Sequence, residues 1–249
     1  MNCPRCNANV AFSKKRCDNC GQDLKNYRRV VGLSNIYYNK GLSQAKVRDL
    51  SGAISSLKLS LQFNKLNTNA RNLLGLVYLE EGEIVSALSE WVISKHYQSE
   101  NNDAEDYIKM IQSNPNKLET YNQTIRKYNS ALNSAKHGDE DMAIIQLKKV
   151  VNLNPKFIRA HQLLALLYMM TGKKDNRVKA LKLLRNISQI DVTNTTTLRY
   201  MKELSDVHIR GESPKVQPKV VKKEPERRTL PQVDPAVAAG TEADCPHSG

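Results

Sequence analysis

The sequence has few of the residues that build sheets and turns. Aromatic residues make up 6% of the 249 residues, with one Trp, and there are 11 Gly and 9 Pro. Sandwiches and mixed sheets use more aromatic residues in strands and more Gly and Pro in turns. The composition therefore favours an all-α fold.

Long hydrophobic runs are also missing. The longest nearly apolar stretch is Leu163–Met170, and it ends at Gly172, far short of the roughly 20 residues that a bilayer requires. The N-terminal segment carries charges and cysteines where a signal peptide has an apolar core. We expect a cytoplasmic, reducing location, where cysteines are more often metal ligands than disulfides.

Motifs of the common catalytic sites are absent from the sequence. It has no Gly-rich phosphate loop, no H-E-x-x-H and no G-x-S-x-G, and its 5 histidines are scattered. We therefore expect a protein that is not an enzyme.

Four cysteines lie close to the N-terminus, in the pattern C-x2-C, ten residues, C-x2-C. Zinc is held by four such thiolates at the corners of a tetrahedron, and a shell of four cysteines leaves no position for a catalytic water. Asn7 and Gly21 each follow a pair, where a tight turn favours a positive φ. The sequence predicts one structural Zn²⁺ bound by Cys3, Cys6, Cys17 and Cys20.

This segment resembles the zinc ribbon found at the start of many bacterial proteins. Its roughly 24 residues are too few to fold by hydrophobic burial alone, so the metal would supply the folding energy. Val10–Phe12 is expected to form a short strand between the cysteine pairs. Two disulfides or four free thiols are the alternative. Cys245, in a polar tail, is expected to be a free surface thiol.

The middle of the chain repeats itself with an offset of 90 residues. Leu73–Tyr78 matches Leu163–Tyr168, and Tyr38-Asn39 matches Tyr128-Asn129. One shared offset over several matches indicates two tandem copies of a longer unit.

Each copy divides again at 34 residues, since Gly41 and Ala53 recur as Gly75 and Ala87. Leu74-Gly75, Tyr78, Ala87 and Trp91 resemble the motif of the tetratricopeptide repeat. That resemblance implies antiparallel helix pairs, with small residues where the helices cross and large ones between repeats. Single repeats cannot bury their apolar faces, so stacking forms a solenoid.

The offset exceeds two repeats by 22 residues, which we assign to an insert. Asp103 is expected to cap a short helix over Ala104–Gln112, and a long helix should follow the break at Ser113–Asn116. The insert would bend or divide the solenoid.

The predicted organisation is a zinc ribbon at 1–24, a linker at 25–33, repeats one and two at 34–101, the insert at 102–123, repeats three and four at 124–194, a capping helix at 195–208 and a disordered basic, Pro-rich tail at 209–249.

In the tetratricopeptide family the first helix of each repeat lines a concave groove. The resemblance implies a groove that binds a peptide or protein through rings, amides, ammonium groups and apolar anchors. Its side chains would be Tyr38, Asn39, Leu42, Lys46, Asn72, Leu76, Tyr128, Asn129, Lys136, Gln162 and Met169. The alternative is that several of them, Met169 among them, only pack between repeats.

The leading hypothesis is therefore a protein-interaction scaffold. A second hypothesis, which the net charge of +13 allows, is nucleic-acid binding through the ribbon and the basic segments Lys14–Arg16, Arg28-Arg29 and Lys222-Lys223. No aromatic and basic residues interleave as a stacking platform, so such binding would be weak and salt-sensitive.

Over residues 1–208 the arrangement resembles zinc-ribbon and tetratricopeptide proteins of clostridial-type bacteria. Longer relatives continue into a membrane anchor. If this chain is a shortened form, the repeats would lie beside the membrane and the basic tail would face anionic lipids.

Overall fold

The computed structural model describes residues 1–210, with side chains through residue 206, and confirms an all-α fold of stacked helical hairpins. This part of the chain contains ten helices. They are α1 (Lys25–Lys46), α2 (Leu50–Phe63), α3 (Thr68–Glu80), α4 (Ile84–Tyr97), α5 (Ala104–Gln112), α6 (Pro115–Lys136), α7 (Glu140–Leu153), α8 (Ile158–Met170), α9 (Lys174–Ser188) and α10 (Thr195–Arg210). None of the ten is both long and apolar enough to cross a bilayer.

Four antiparallel pairs make up the hairpins: α1 with α2, α3 with α4, α6 with α7, and α8 with α9. Small residues let the paired helices approach. A Cβ built on Gly75 would lie 2.2 Å from Nε1 of Trp91, and one on Gly41 would lie 2.7 Å from Cγ of Leu57. Trp91 and Leu57 are fully buried at these crossings. The recurring small residues in the sequence therefore mark the places where a larger side chain has no room.

Side-chain caps fix where several helices begin. Asp49, Asn67 and Asn114 each accept a hydrogen bond from a backbone amide of the first turn of α2, α3 and α6. The prediction that Asp103 caps α5 is wrong, because its side chain makes no such bond. The carbonyl oxygen of the Asn102 side chain accepts from the amide of Ala104 at 3.1 Å instead.

The two pairs of hairpins pack against each other through their turns and loops. The amide of Ile158 donates to the carbonyl oxygen of Glu81 at 3.2 Å, and Nδ2 of Asn154 donates to that of Gly82 at 3.1 Å. At a second contact, the amide of Val192 donates to the carbonyl oxygen of Arg48 at 3.0 Å. The turn α1–α2 thus meets the loop α9–α10, and the turn α3–α4 meets the loop α7–α8.

Because the first turn meets the last loop, the second pair of hairpins runs back beside the first in reverse order. The 22-residue helix α6 carries the chain across. Leu118 and Tyr121, in its first half, pack with α3, α4 and α5, whereas Tyr128 and Ala135 pack with the core of the second pair. The segment expected to bend the solenoid therefore folds it back on itself.

Two local expectations differ from the structure. Residues 25–33, expected as a linker, are the first turns of α1, because Leu24 and Val31 are buried at the base of the helix and hold it in place. Val10–Phe12 is not a strand. In residues 1–24, for which we keep the name ribbon as a label for the segment, the pairing is limited to isolated bridges, Asn2 with Asn9 and Arg16 with Asp23, each flanking one cysteine pair. The tail from residue 211, including Cys245 and Lys222-Lys223, lies outside the described residues.

Candidate functional site

The four cysteines converge on one point. Sγ of Cys3 lies 3.6 Å from Sγ of Cys20, Sγ of Cys6 lies 3.6 Å from Sγ of Cys17, and all four sulfurs lie within 4.8 Å of one another. A tetrahedron of sulfurs about 2.3 Å from a central ion has edges of about 3.8 Å, whereas a disulfide joins sulfurs at about 2.0 Å. The cluster therefore has the spacing of a metal site, and it can hold one metal ion.

The backbone of each C-x2-C turn is built for this convergence. The amides of Asn7 and Gly21 donate to the carbonyl oxygens of Cys3 and Cys17, both at 2.9 Å. Asn7 and Gly21 have φ of 56° and 72°, as the sequence predicted. The positive φ closes each turn tightly enough to aim both sulfurs of a pair inward.

The electrostatics of the cluster favour a cation. The Ala8 amide, helped by the side chain of Asn19, lowers the pKa of the Cys6 thiol to about 6. At Cys20 the Gln22 amide acts in the same direction, but burial and the other three sulfurs outweigh it and raise the pKa to about 12. Four thiolates at this spacing repel one another, and a bound divalent ion would relieve that repulsion.

The ribbon is joined directly to the first hairpin. Leu24 is fully buried in the ribbon core beside Cys3 and Cys17, and its carbonyl oxygen accepts from the amide of Arg28 in α1 at 2.8 Å. The ring of Phe12 lies under the guanidinium of Arg28, 5.4 Å from ring centre to Cζ. The ribbon therefore stands at the start of α1 as a cap on the helices, and not on a free tether.

A second candidate site is the face formed by α1, α3 and α5. Tyr38 of α1 packs on the core between α2 and α3, and Leu76 of α3 packs on the cluster around Trp91. Tyr107 of α5 lies with its ring 5.3 Å from that of Trp91. Burial, with added effects from Asp103, Asp106 and Tyr38, raises the pKa of Tyr107. Tyr38, Leu76 and Tyr107 are all half-buried, so each keeps an exposed edge.

The sequence did not single out Tyr107, because its segment was assigned as an insert between repeats. The stripe Tyr107, Ile108 and Ile111 was a usable signal. These residues recur at helical spacing and pack against Trp91 and Ala87. Helix α5 therefore takes the place of the first helix of a further repeat.

The other predicted groove residues of the first pair have different environments. Asn39 and Lys46 are exposed, and Leu42 is half-buried. Asn72 is buried, where its Nδ2 donates to the side chain of Asn102 at 2.8 Å and its main-chain carbonyl oxygen accepts from Nε1 of Trp91 at 3.1 Å. Asn72 therefore supports the fold and is not free to meet a partner.

The predicted groove residues of the second pair have environments of their own. The ring of Tyr128 lies 4.8 Å from that of Phe157, and Gln162 donates to the side chains of Asn194 and Thr197 at 2.7 and 3.0 Å. Met169 is buried in the core. Asn129 and Lys136 are exposed on α6. None of these contacts involves Tyr38 or Leu76, and one continuous groove through all the predicted residues remains a prediction.

The described residues offer no second cluster of metal-ligating side chains. The buried His161 has a pKa lowered by burial, and its Nδ1 lies 2.9 Å from the carbonyl oxygen of Phe157. Of the basic residues considered for nucleic acid, Lys14 pairs with Asp18 and Arg28 lies on Phe12. These side chains are engaged within the protein itself.

No protein-family model matches the sequence, and no curated protein does so significantly. Solved structures give matches of low similarity. "YrrB: a TPR protein with an unusual peptide-binding site" is 20% identical over 67% of this chain and 90% of that chain, with a TM-score of 0.29. The tetratricopeptide domain of P58(IPK) is 16% identical over 74% of this chain and 58% of that chain, with a TM-score of 0.33. PilF of Pseudomonas aeruginosa is 14% identical over 73% of this chain and 72% of that chain, with a TM-score of 0.31. The hairpin-repeat description of this chain rests on its own helix packing.

Proposed function

We propose that the protein is a non-enzymatic scaffold that binds a segment of a partner protein on the face of α1, α3 and α5. The observation that carries the proposal is the set Tyr38, Leu76 and Tyr107, three large side chains with exposed edges, of which Tyr38 is anchored in one core and Leu76 and Tyr107 in another. Such anchors lose little conformational entropy on binding, which is why aromatic residues dominate the energetics of interfaces.

The borders of this face suit an extended or helical peptide. Asn39 can donate to and accept from a peptide backbone, and Lys46 can pair with a carboxylate. Leu42 adds apolar area between them. Because the second pair of hairpins folds away, the face spans three helices and would hold a short segment.

A photo-crosslinking residue at position 39, in the full chain, tests this proposal in cells. Position 62, where Gln62 is exposed on the opposite helix α2, is the matched control. We expect a discrete crosslinked product from position 39 and none from position 62. Tyr38→Ala and Tyr107→Ala should each reduce that product at least severalfold, whereas Lys136→Ala should not. Equal products from positions 39 and 62, or no effect of either tyrosine variant, would refute the face.

We further propose that the ion held by the four cysteines is structural Zn²⁺. The support is the closed set of four soft ligands on two turns, which leaves no open coordination position. Two cysteine pairs kept as thiols also fit a reducing, cytoplasmic location. Elemental analysis of the purified protein should give one zinc per chain. Bound iron, with the visible absorption of an iron–thiolate centre, would refute zinc while leaving the four ligands in place.

A further inference from the structure

An apolar groove runs between α9 and α10, on the last helices described. Its volume is about 680 Å³, and its apolar lining residues are Val178, Leu181, Met201 and Leu204. Val178 is 69% exposed. The groove is therefore an apolar surface that remains open to solvent in the described part of the chain.

Its borders carry charge of one sign. Arg177 and Arg185 of α9 and Lys202 of α10 line it, and no acidic side chain among residues 1–206 does so. One guanidinium nitrogen of Arg177 is buried without a hydrogen-bond partner among the described residues. A guanidinium pairs best with a carboxylate, which can accept two of its hydrogen bonds.

The repeat pattern explains why the described helices do not close this groove as an ordinary hairpin would. Helix α10 begins after Asn194, whose side chain caps it as that of Asn67 caps α3. Counting from those caps, Lys202 takes the position of Gly75, where α4 crosses α3 closely. A lysine at that crossing prevents the close packing of a repeat helix and places an ammonium group there instead.

We propose that this groove is a second docking surface, and that its occupant is an acidic amphipathic helix of a partner protein. Apolar side chains at helical spacing would cover Val178, Leu181 and Met201. Carboxylates on the flanks of that helix would pair with Arg177, Arg185 and Lys202. The site is independent of the face of α1, α3 and α5, so the protein would hold two partners or two segments of one.

The test uses the full chain and a fluorescent probe peptide in an anisotropy titration at physiological salt. The probe is a helix of about four turns, with Leu at helical spacing on one face and Glu on its flanks. A scrambled peptide of the same composition and a peptide with Lys in place of Glu are the controls. We expect the Glu probe to bind at least about tenfold more tightly than either control, because a single well-buried apolar side chain or ion pair is enough to produce a difference of that size.

Val178→Glu should weaken binding of the Glu probe at least about tenfold, since it replaces an apolar lining side chain by one with the same charge as the probe. Val92→Glu is the matched control, because Val92 is 58% exposed on α4, away from the groove, and it should change nothing. The pair Arg185→Glu and Lys202→Glu should bind the Lys peptide better than the Glu probe. Circular dichroism of each variant checks that the helices are intact.

Three results would overturn the proposal. The scrambled peptide could bind as tightly as the probe, Val178→Glu could leave binding unchanged, or the chain could bind anionic vesicles and not the probe. A dimer in sedimentation that Val178→Glu abolishes would instead assign the groove to a second copy of this chain. None of these outcomes bears on Tyr38 or Tyr107, so the face of α1, α3 and α5 is tested separately, by the photo-crosslinking experiment.

Discussion

Replacing Gly82 by Ala should open the contact between the two pairs of hairpins. Gly82 has φ of 77° in the turn α3–α4, and a Cβ there would lie 2.6 Å from Cα and 2.7 Å from the amide nitrogen of Phe157. Both atoms belong to backbone, so no rotamer change can relieve the overlap. The turn must move away from the loop α7–α8.

Gly138 provides the matched control. It has φ of 82° in the turn α6–α7, and a Cβ there meets nothing within 4 Å. Alanine at either position costs about 1–2 kcal/mol for the left-handed backbone. At Gly82 the displaced turn also loses hydrogen bonds from Asn154 and Ile158, each contributing about 1 kcal/mol. Gly82→Ala should therefore reduce the free energy of unfolding by about 2 kcal/mol more than Gly138→Ala.

Urea denaturation followed by circular dichroism measures both free energies, and hydrogen exchange at the amide of Ile158 reports the junction directly. We expect faster exchange there in Gly82→Ala and unchanged exchange in Gly138→Ala. Equal destabilisation by the two substitutions, with no change at Ile158, would refute the reversed packing. The hairpins would then stack as one continuous solenoid.

Three other predictions concern the ribbon, the junction and a hairpin crossing. Cys3→Ser should release the metal ion and disorder the ribbon. The helical circular dichroism should fall only slightly, because α1 is held mainly by α2. A large loss of helical signal would mean that the ribbon is needed to form the hairpins. Burial, with the charges of Asp191 and Glu83, raises the pKa of Glu81 to about 7. The folded state then binds the proton more tightly than the unfolded state, so stability should fall as pH rises from about 4.5 to about 7. Glu81→Gln should remove this loss of stability with rising pH. Above a pH of about 7, its free energy of unfolding should exceed that of the parent by on the order of 1–3 kcal/mol. Identical urea midpoints of the two proteins at high pH would contradict this prediction. Gly75→Ala should destabilise by about 1–2 kcal/mol despite better helix propensity, because its Cβ meets the indole of Trp91; a thermal midpoint equal to or above that of the parent would show that Trp91 can move aside.

The cysteine cluster was the part most open to prediction. Its four ligands lie within 18 residues, and two C-x2-C turns with Asn7 and Gly21 behind them have few ways to arrange their sulfurs. Local backbone geometry therefore decides the site. The expected strand at Val10–Phe12 failed for the same reason, since each turn pairs with its own flanks.

The predicted groove depended on information that is not local. Repeat spacing placed Tyr38 and Tyr128 at equivalent positions, and equivalence along the chain implied a shared surface. Tyr38 keeps an exposed edge on the face with Leu76, whereas Tyr128 packs on Phe157 near the junction. The direction in which one pair of hairpins meets the next decides whether such a tyrosine stays partly exposed or packs at the junction. The spacing of the repeats does not specify that direction.

The sequence by itself determined the helical hairpins, their close crossings and the cysteine cluster, because helical periodicity, small residues at contacts and ligand spacing all act over short distances along the chain. Only the tertiary structure decided that α5 completes a face with α1 and α3, and that α6 turns the second pair back on the first. Those outcomes depend on contacts between Gly82 and Phe157, and between Arg48 and Val192. Such contacts join residues far apart in the chain, where no local pattern specifies the partner.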